Sequence, residues 1–125
     1  LLLVTGDLAF LHDINGLLIE ESKKLNLTIL IIDNQGGNIF KRLHKNNIPE
    51  KEIQNLFVMP KKLSWDKLAE AHGLPYRTID NLSNLKESLD WSLSMEKSVI
   101  IRVRINIEYE LMERKTISNI INQIN

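Results

Sequence analysis

Two short apolar runs constrain this chain more than anything else in it. Residues 1–4 are a continuous hydrophobic run, residues 27–32 are a largely apolar one rich in β-branched side chains, and each reads as a buried strand, the first buried on both faces. Between them Phe10, Ile14, Leu17 and Leu18 recur with helical period, Glu20 stands one turn before Lys24, and Lys23 and Lys24 suit the negative end of a helix dipole. Strand, helix and strand within about thirty residues make a βαβ unit, whose crossover is right-handed and whose strands are parallel. Both strands then end on one edge, where open α/β sheets bind ligands. Gly6-Asp7 closes the first strand there, and Asp33-Asn34-Gln35-Gly36-Gly37 closes the second.

The rest of the chain continues the alternation. Residues 38–43 read as a short helix, and residues 44–52, polar and containing Pro49, as a mobile loop. Ser64 is placed to cap a helix that turns Trp65, Leu68 and Ala69 inward, with Gly73 and Pro75 to stop it. Residues 76–79 form a short predicted strand, and Leu82, Leu85, Leu89 and Leu93 mark one face of the next helix. Residues 98–105 alternate at their end, giving a strand with one wetter face on which Arg102 and Arg104 are expected to be solvated. Ile117, Ile120, Ile121 and Ile124 define an amphipathic final helix. The predicted class is α/β, a mostly parallel sheet with flanking helices, in a single domain over residues 1–125 without repeats.

Composition narrows the chemistry. With 43% apolar and 26% charged residues the chain is expected to fold, and sixteen basic against sixteen acidic residues leave no net field to draw it to nucleic acid or an anionic membrane. No run is long and apolar enough for stable membrane insertion. The absence of cysteine removes disulfides, thiolate metal sites and cysteine nucleophiles, and suits the cytoplasm. His12, His44 and His72 are too scattered for a zinc site on one helical turn. The chain opens on Leu1 with an apolar run already under way and no initiator Met, which leads us to expect the C-terminal fragment of a longer chain.

At the strand edge, the Asp7 carboxylate, the Asn34 carboxamide and the backbone of Gly36-Gly37 offer oxygen ligands to a hard cation. Mg²⁺ takes about six oxygens near 2.1 Å, few of them from protein, and completes its shell with phosphate and water. Spacing alone leaves two readings open, a metal-bridged diphosphate site or a pair of plain turns with Asp7 as a helix cap.

The wording of these segments carries a resemblance. A Gly-Asp pair followed at about this interval by an Asn-containing turn is similar to the cofactor motif of thiamine-diphosphate enzymes, and 27 positions separate Asp7 from Asn34. Within that family, GDLAFLHDINGL (residues 6–17), DNQGGNIF (33–40) and LFVMPKKLSWDKLAEAHGLPY (56–76) resemble the synthases of menaquinone and phylloquinone biosynthesis. Most of the wider family has Gly where Leu8 stands, which separates this wording from acetohydroxyacid synthase relatives. The likeness is specific up to Tyr76 and fades beyond it.

The resemblance implies thiamine diphosphate with Mg²⁺, or Mn²⁺, as cofactors. It implies Asp7, Asn34 and the Gly36 carbonyl as metal ligands, and Gly6, Asp7, Leu8, Ala9, Asn34, Gly36, Gly37 and Asn38 as the cofactor-binding set. Ile39, Phe40 and Leu43 are expected to line the pocket beside the reacting ring. The implied reaction is the decarboxylative addition of 2-oxoglutarate to isochorismate, by a homodimer or homotetramer whose activating glutamate lies in another domain. The isolated 125-residue chain is therefore expected to be inactive. One position departs from the family: Asp33 replaces the usual first Asn of the pair, and its charge would repel a diphosphate unless it points away or meets a cation. His12 and Asp13 are read as surface groups at the helix start rather than as acid and base. A rival of another class, a receiver-like phosphate-sensing module, would need clustered acids, a phosphoacceptor and a lysine after successive strands, a set we do not find.

Overall fold

The structure is a computed structural model, and it describes residues 1–19, 25–40, 48–58 and 62–124. Four strands, β1 (Leu2–Gly6), β2 (Thr28–Asp33), β3 (Tyr76–Ile79) and β4 (Val99–Arg104), form one sheet in the order β1-β2-β4-β3, with every pair parallel. Between them run α1 (Asp7–His12) with a 3₁₀ extension over Ile14–Ile19, then α2 (Glu50–Glu52) continued by a π-helical turn over Ile53–Val58. These are followed by α3 (Trp65–Ala71), α4 (Leu85–Ser94) after the 3₁₀ turn Leu82–Asn84, and the terminal α5 (Ile107–Ile124).

The period-2 alternation of the central strands sorts their side chains into two cores. Ile29, Ile31 and Ile100 face Phe10, Trp65, Ala69 and Leu74, so α1 and α3 cover one side of the sheet. Leu30, Ile101, Val103 and Ile79 face Leu85, Leu89 and Trp91 of α4 on the other. Ile29, Ile31, Ile100 and Ile101 are sealed from water, each contributing about 1.5–3 kcal/mol through burial. Connections on one face lead from β1 to β2 and on to β3, and the return from β3 to β4 uses the opposite face, as right-handed crossovers require when the direction of travel reverses. Strands β2, β3 and β4 and helix α3 follow the sequence reading, except that Ser64 stands at the N-cap position without a side-chain hydrogen bond to the helix. The α3 stop is made by Gly73 N–H to the Glu70 carbonyl (2.9 Å) and Leu74 N–H to the Ala69 carbonyl (2.9 Å).

Several expectations are corrected. β1 is an edge strand with Leu2, Leu3 and Val4 about half exposed, so residues 1–4 are not buried on both faces; among the described residues β2 alone pairs with them. Glu50 to Glu52 are helical rather than part of a loop. Leu82 and Leu93 are exposed, and α4 turns Ser88 and Ser92 inward instead. Ser92 Oγ donates to the Leu89 carbonyl (2.7 Å) and accepts from Thr28 Oγ1 (3.0 Å), which satisfies a hydroxyl wedged against the sheet. The pairing of Glu20 with Lys24, the helix through Leu43 and the loop at His44 fall outside the described residues. No helix among the described residues is long and apolar enough to cross a membrane.

Candidate functional site

Parallel pairing delivers both glycine-containing turns to one edge. Gly6 lies opposite Ile32 in the register, so the chain beyond Asp33 emerges beside Asp7. Asp7 is the first residue of α1, held 7% exposed although it carries a carboxylate. Gln35 (φ 65°) and Gly36 (φ 111°) both adopt left-handed backbone, folding the turn back so that Gly36 N–H donates to Asp7 Oδ2 at 2.6 Å. The two segments that spacing alone left ambiguous are thus joined by a charge-assisted hydrogen bond.

The next residues lock the turn. Asn38, buried, donates from Nδ2 to the Asn34 carbonyl and from its backbone N–H to the Gly36 carbonyl at 2.8 Å. Its Oδ1 is buried without a partner among the described residues. Gly37 N–H donates to the Val58 carbonyl at 2.7 Å, and a Cβ at Gly37 would come within 2.3 Å of the Phe57 carbonyl oxygen and 3.0 Å of the Phe40 ring. Only glycine lets the turn lie this close to the π-helical segment. Phe40, half-buried, packs its ring 5.5 Å from that of Phe57, whereas Ile39 is exposed. Leu43 lies outside the described residues.

Asp33 does meet a cation. Its Oδ1 accepts Gln35 N–H at 2.8 Å, while Oδ2 accepts Arg102 Nε at 2.6 Å and is also paired with Arg102 Nη2. Arg102 pairs with Ile31 in the sheet, two residues before Asp33, so the side chains of Asp33 and Arg102 share a face. The guanidinium also lies 5.3 Å from the Trp65 ring. The expectation of a solvated Arg102 is therefore corrected. Arg104, by contrast, is half exposed and pairs with Asp80 at 3.1 Å. Sequence reasoning missed Arg102, whose signal was the need of Asp33 for a counter-charge, while Asn38, named in the cofactor-binding set, turns out to brace the loop from within.

Burial holds the Asp7 carboxyl above its ordinary value of 3.8; the Gly36 N–H works against this, and the neighbouring Asp33 adds to it. Among the described residues no cation pairs with Asp7, and none of their acidic or histidine side chains gather in threes as a closed metal cage would need. The donors at hand are a carboxylate, a carboxamide and a backbone carbonyl, all oxygens and few in number. This set suits Mg²⁺ that draws its remaining ligands from a phosphate group and water, so the residues present fit the cofactor expected from the motifs. Gly6 has open space beside it, leaving room for an anion at the start of α1. His12 and Asp13 are exposed and pair with each other at 3.4 Å. A cleft of about 690 Å³ borders the site, lined by Gln35, Asp80, Arg104 and Asn106 but by neither Asp7 nor Gly36.

Residues 1–103 match the family model described as "Thiamine pyrophosphate enzyme, C-terminal TPP binding domain", and the chain belongs to that family. Within it, the chain is 56% identical over 117 residues, 94% of its length, to the 2-succinyl-5-enolpyruvyl-6-hydroxy-3-cyclohexene-1-carboxylate synthases of Prochlorococcus marinus strains MIT 9515 and MIT 9215. The same enzyme from strain NATL2A is 42% identical over 85% of the chain. The chain spans about a fifth of the length of these curated relatives. Among solved structures, the thiamine diphosphate-dependent 4-hydroxybenzoylformate decarboxylase of Rhodococcus jostii RHA1 superposes with a TM-score of 0.67 at 19% identity, covering 84% of this chain and 19% of that one. That likeness is one of fold.

Proposed function

We propose that this chain supplies the magnesium and diphosphate site of a cytoplasmic synthase that decarboxylates 2-oxoglutarate and adds the remaining unit to isochorismate. The product would be 2-succinyl-5-enolpyruvyl-6-hydroxy-3-cyclohexene-1-carboxylate, in menaquinone or phylloquinone synthesis. The observation that carries the reading is the buried Asp7 carboxylate, joined to Gly36 N–H at 2.6 Å and without a cationic partner among the described residues. The relatives reported above are named for this product, which supports the choice of reaction.

In this reading Asp7, the Asn34 side-chain oxygen and the Gly36 carbonyl hold Mg²⁺ or Mn²⁺. The Gly36 carbonyl already accepts Asn38 N–H, but a carbonyl oxygen has a second lone pair for a metal. Gly6, Leu8, Ala9, Gly37 and Asn38 shape the cradle for the diphosphate. Thiamine diphosphate, when bound, supplies the electron sink for decarboxylation, and the protein supplies position, electrostatics and exclusion of water. Ile39 and Phe40 provide apolar surface next to the loop. The activating glutamate and the partner subunit of a homodimer or homotetramer complete the site from outside this chain.

The test is turnover by the full-length protein given 2-oxoglutarate, isochorismate, thiamine diphosphate and Mg²⁺. Carbon dioxide release and isochorismate consumption should match and should require all four components. Efficient use of pyruvate with no consumption of isochorismate would replace this reading with that of an acetohydroxyacid synthase relative.

A further inference from the structure

We propose that Arg102 is a positioning residue of the metal and diphosphate loop, acting on it through Asp33; the inference rests on the functional reading above. Asp33 is 3% exposed and both of its oxygens are engaged, Oδ1 with Gln35 N–H at 2.8 Å and Oδ2 with the Arg102 guanidinium at 2.6 Å. The Gln35 contact sets the first left-handed residue of the turn, and the next residue, Gly36, is the one whose N–H reaches Asp7. Arg102 thus fixes the rotation of the Asp33 carboxylate, the carboxylate fixes the entry of the turn, and the turn fixes the Gly36 amide and carbonyl.

Charge points the same way. Asp7 and Asp33 are neighbours, and the negative charge of Asp33 acts on Asp7. Without Arg102, two buried carboxylates would face an incoming diphosphate with nothing to offset the second. With Arg102 in place, its Nε and Nη2 forked onto the one oxygen Oδ2 and its guanidinium near the Trp65 ring, Asp33 is neutralised as a pair and the site presents one net negative charge to the metal. Asp33 and Arg102 together form a neutral pair beside the metal loop, which makes them interdependent in a way that neither is alone.

The interdependence is measurable in the full-length protein by calorimetric titration of thiamine diphosphate at fixed Mg²⁺, with thermal melts alongside. Arg102→Gln should weaken cofactor binding about tenfold or more, since breaking a buried pair leaves an uncompensated charge. Adding Asp33→Asn to Arg102→Gln should return affinity to within about threefold of wild type, the coupling expected of two residues acting as one unit. Arg102→Lys should fall between, keeping the charge but losing the fork. Should Arg102→Gln not fold, the double variant and Arg102→Lys carry the comparison, with the double variant still required to bind within about threefold of wild type. A melting temperature lowered by Arg102→Gln with unchanged cofactor affinity would make the pair a prop of the fold and overturn the proposal, as would a double variant that binds as weakly as Arg102→Gln. Wild-type protein that shows no magnesium-dependent binding would overturn the functional reading and this inference with it, whereas wild-type binding with an unaffected Arg102→Gln protein overturns the inference alone.

Discussion

Replacing Asp7 by Asn should stabilise the metal-free protein while weakening its hold on the cofactor, two effects of opposite sign from one atom exchange. The bond from Gly36 N–H to Asp7 Oδ2 at 2.6 Å is charge-assisted, worth about 1.5–3 kcal/mol against about 0.5–1.5 kcal/mol for a neutral acceptor. Asp7→Asn keeps an acceptor, so roughly 1–1.5 kcal/mol of hydrogen bonding is lost. Against that stands the larger effect, burial of the carboxylate, with the Asp33 charge beside it, which together lift the Asp7 pKa above 3.8. The native state then binds its proton more tightly than the unfolded chain does. Stability conferred at low pH is therefore lost as pH rises from 3.8 through the folded value, and the deficit persists above it. The Asp7→Asn protein, in EDTA, should melt above wild type near neutral pH, with the advantage vanishing as pH falls below 3.8. Cofactor affinity should move the other way: loss of about 1.4–3 kcal/mol of metal ligation means roughly ten- to a hundredfold weaker apparent binding, partly recovered by raised Mg²⁺. Melts across pH and a cofactor titration read both. A plain turn or cap aspartate predicts unchanged affinity, since Asn caps nearly as well, and that result would refute the site assignment.

Other outcomes follow from the same geometry. Gly37→Ala should lower the melting temperature of the full-length protein and weaken cofactor binding together, at a cost of about 1–3 kcal/mol, because the new methyl would meet the Phe57 carbonyl at 2.3 Å; an unshifted melt would show that the turn has room. Phe40→Ala should reduce turnover more than cofactor affinity, as its ring packs on Phe57 beyond the metal loop; collapse of affinity with normal turnover at saturating cofactor would place it elsewhere. The isolated 125-residue chain should release no carbon dioxide from 2-oxoglutarate above a no-protein control, and it should associate through the exposed apolar residues of β1 and α5; measurable release would contradict the expectation that the site is completed from outside.

What the sequence disclosed depended on whether a local pattern or a distant neighbour decided the outcome. β2, β3 and β4 were legible because an apolar run, a short alternation or a Gly and Pro stop suffices to place a strand, and the parallel βαβ rule then brings Asp7 and the 33–37 segment to one edge. The exposure of Leu2, Leu3 and Val4 was not legible, since a strand's burial depends on what pairs beyond it. Nor was the inward face of α4, where hydroxyl bonding by Ser92 lets serines displace Leu93. Arg102 was misread for a related reason. Its alternation with Val103 is visible, but the two-residue offset that puts it on the face of Asp33 comes from the register of β4 against β2, which no single segment encodes. Asn38 was named as a site residue, but its contacts to Asn34 and Gly36 follow from the left-handed backbone of the turn, which the residue pattern alone does not display.

The most direct test of the central claim is titration of thiamine diphosphate into the full-length wild-type protein at a series of Mg²⁺ concentrations. If Asp7, Asn34 and Gly36 hold a metal that bridges to the diphosphate, apparent affinity should climb with Mg²⁺ until the metal site saturates, and EDTA should abolish it. Binding that is equally tight with and without Mg²⁺, or absent at every concentration, would contradict the account.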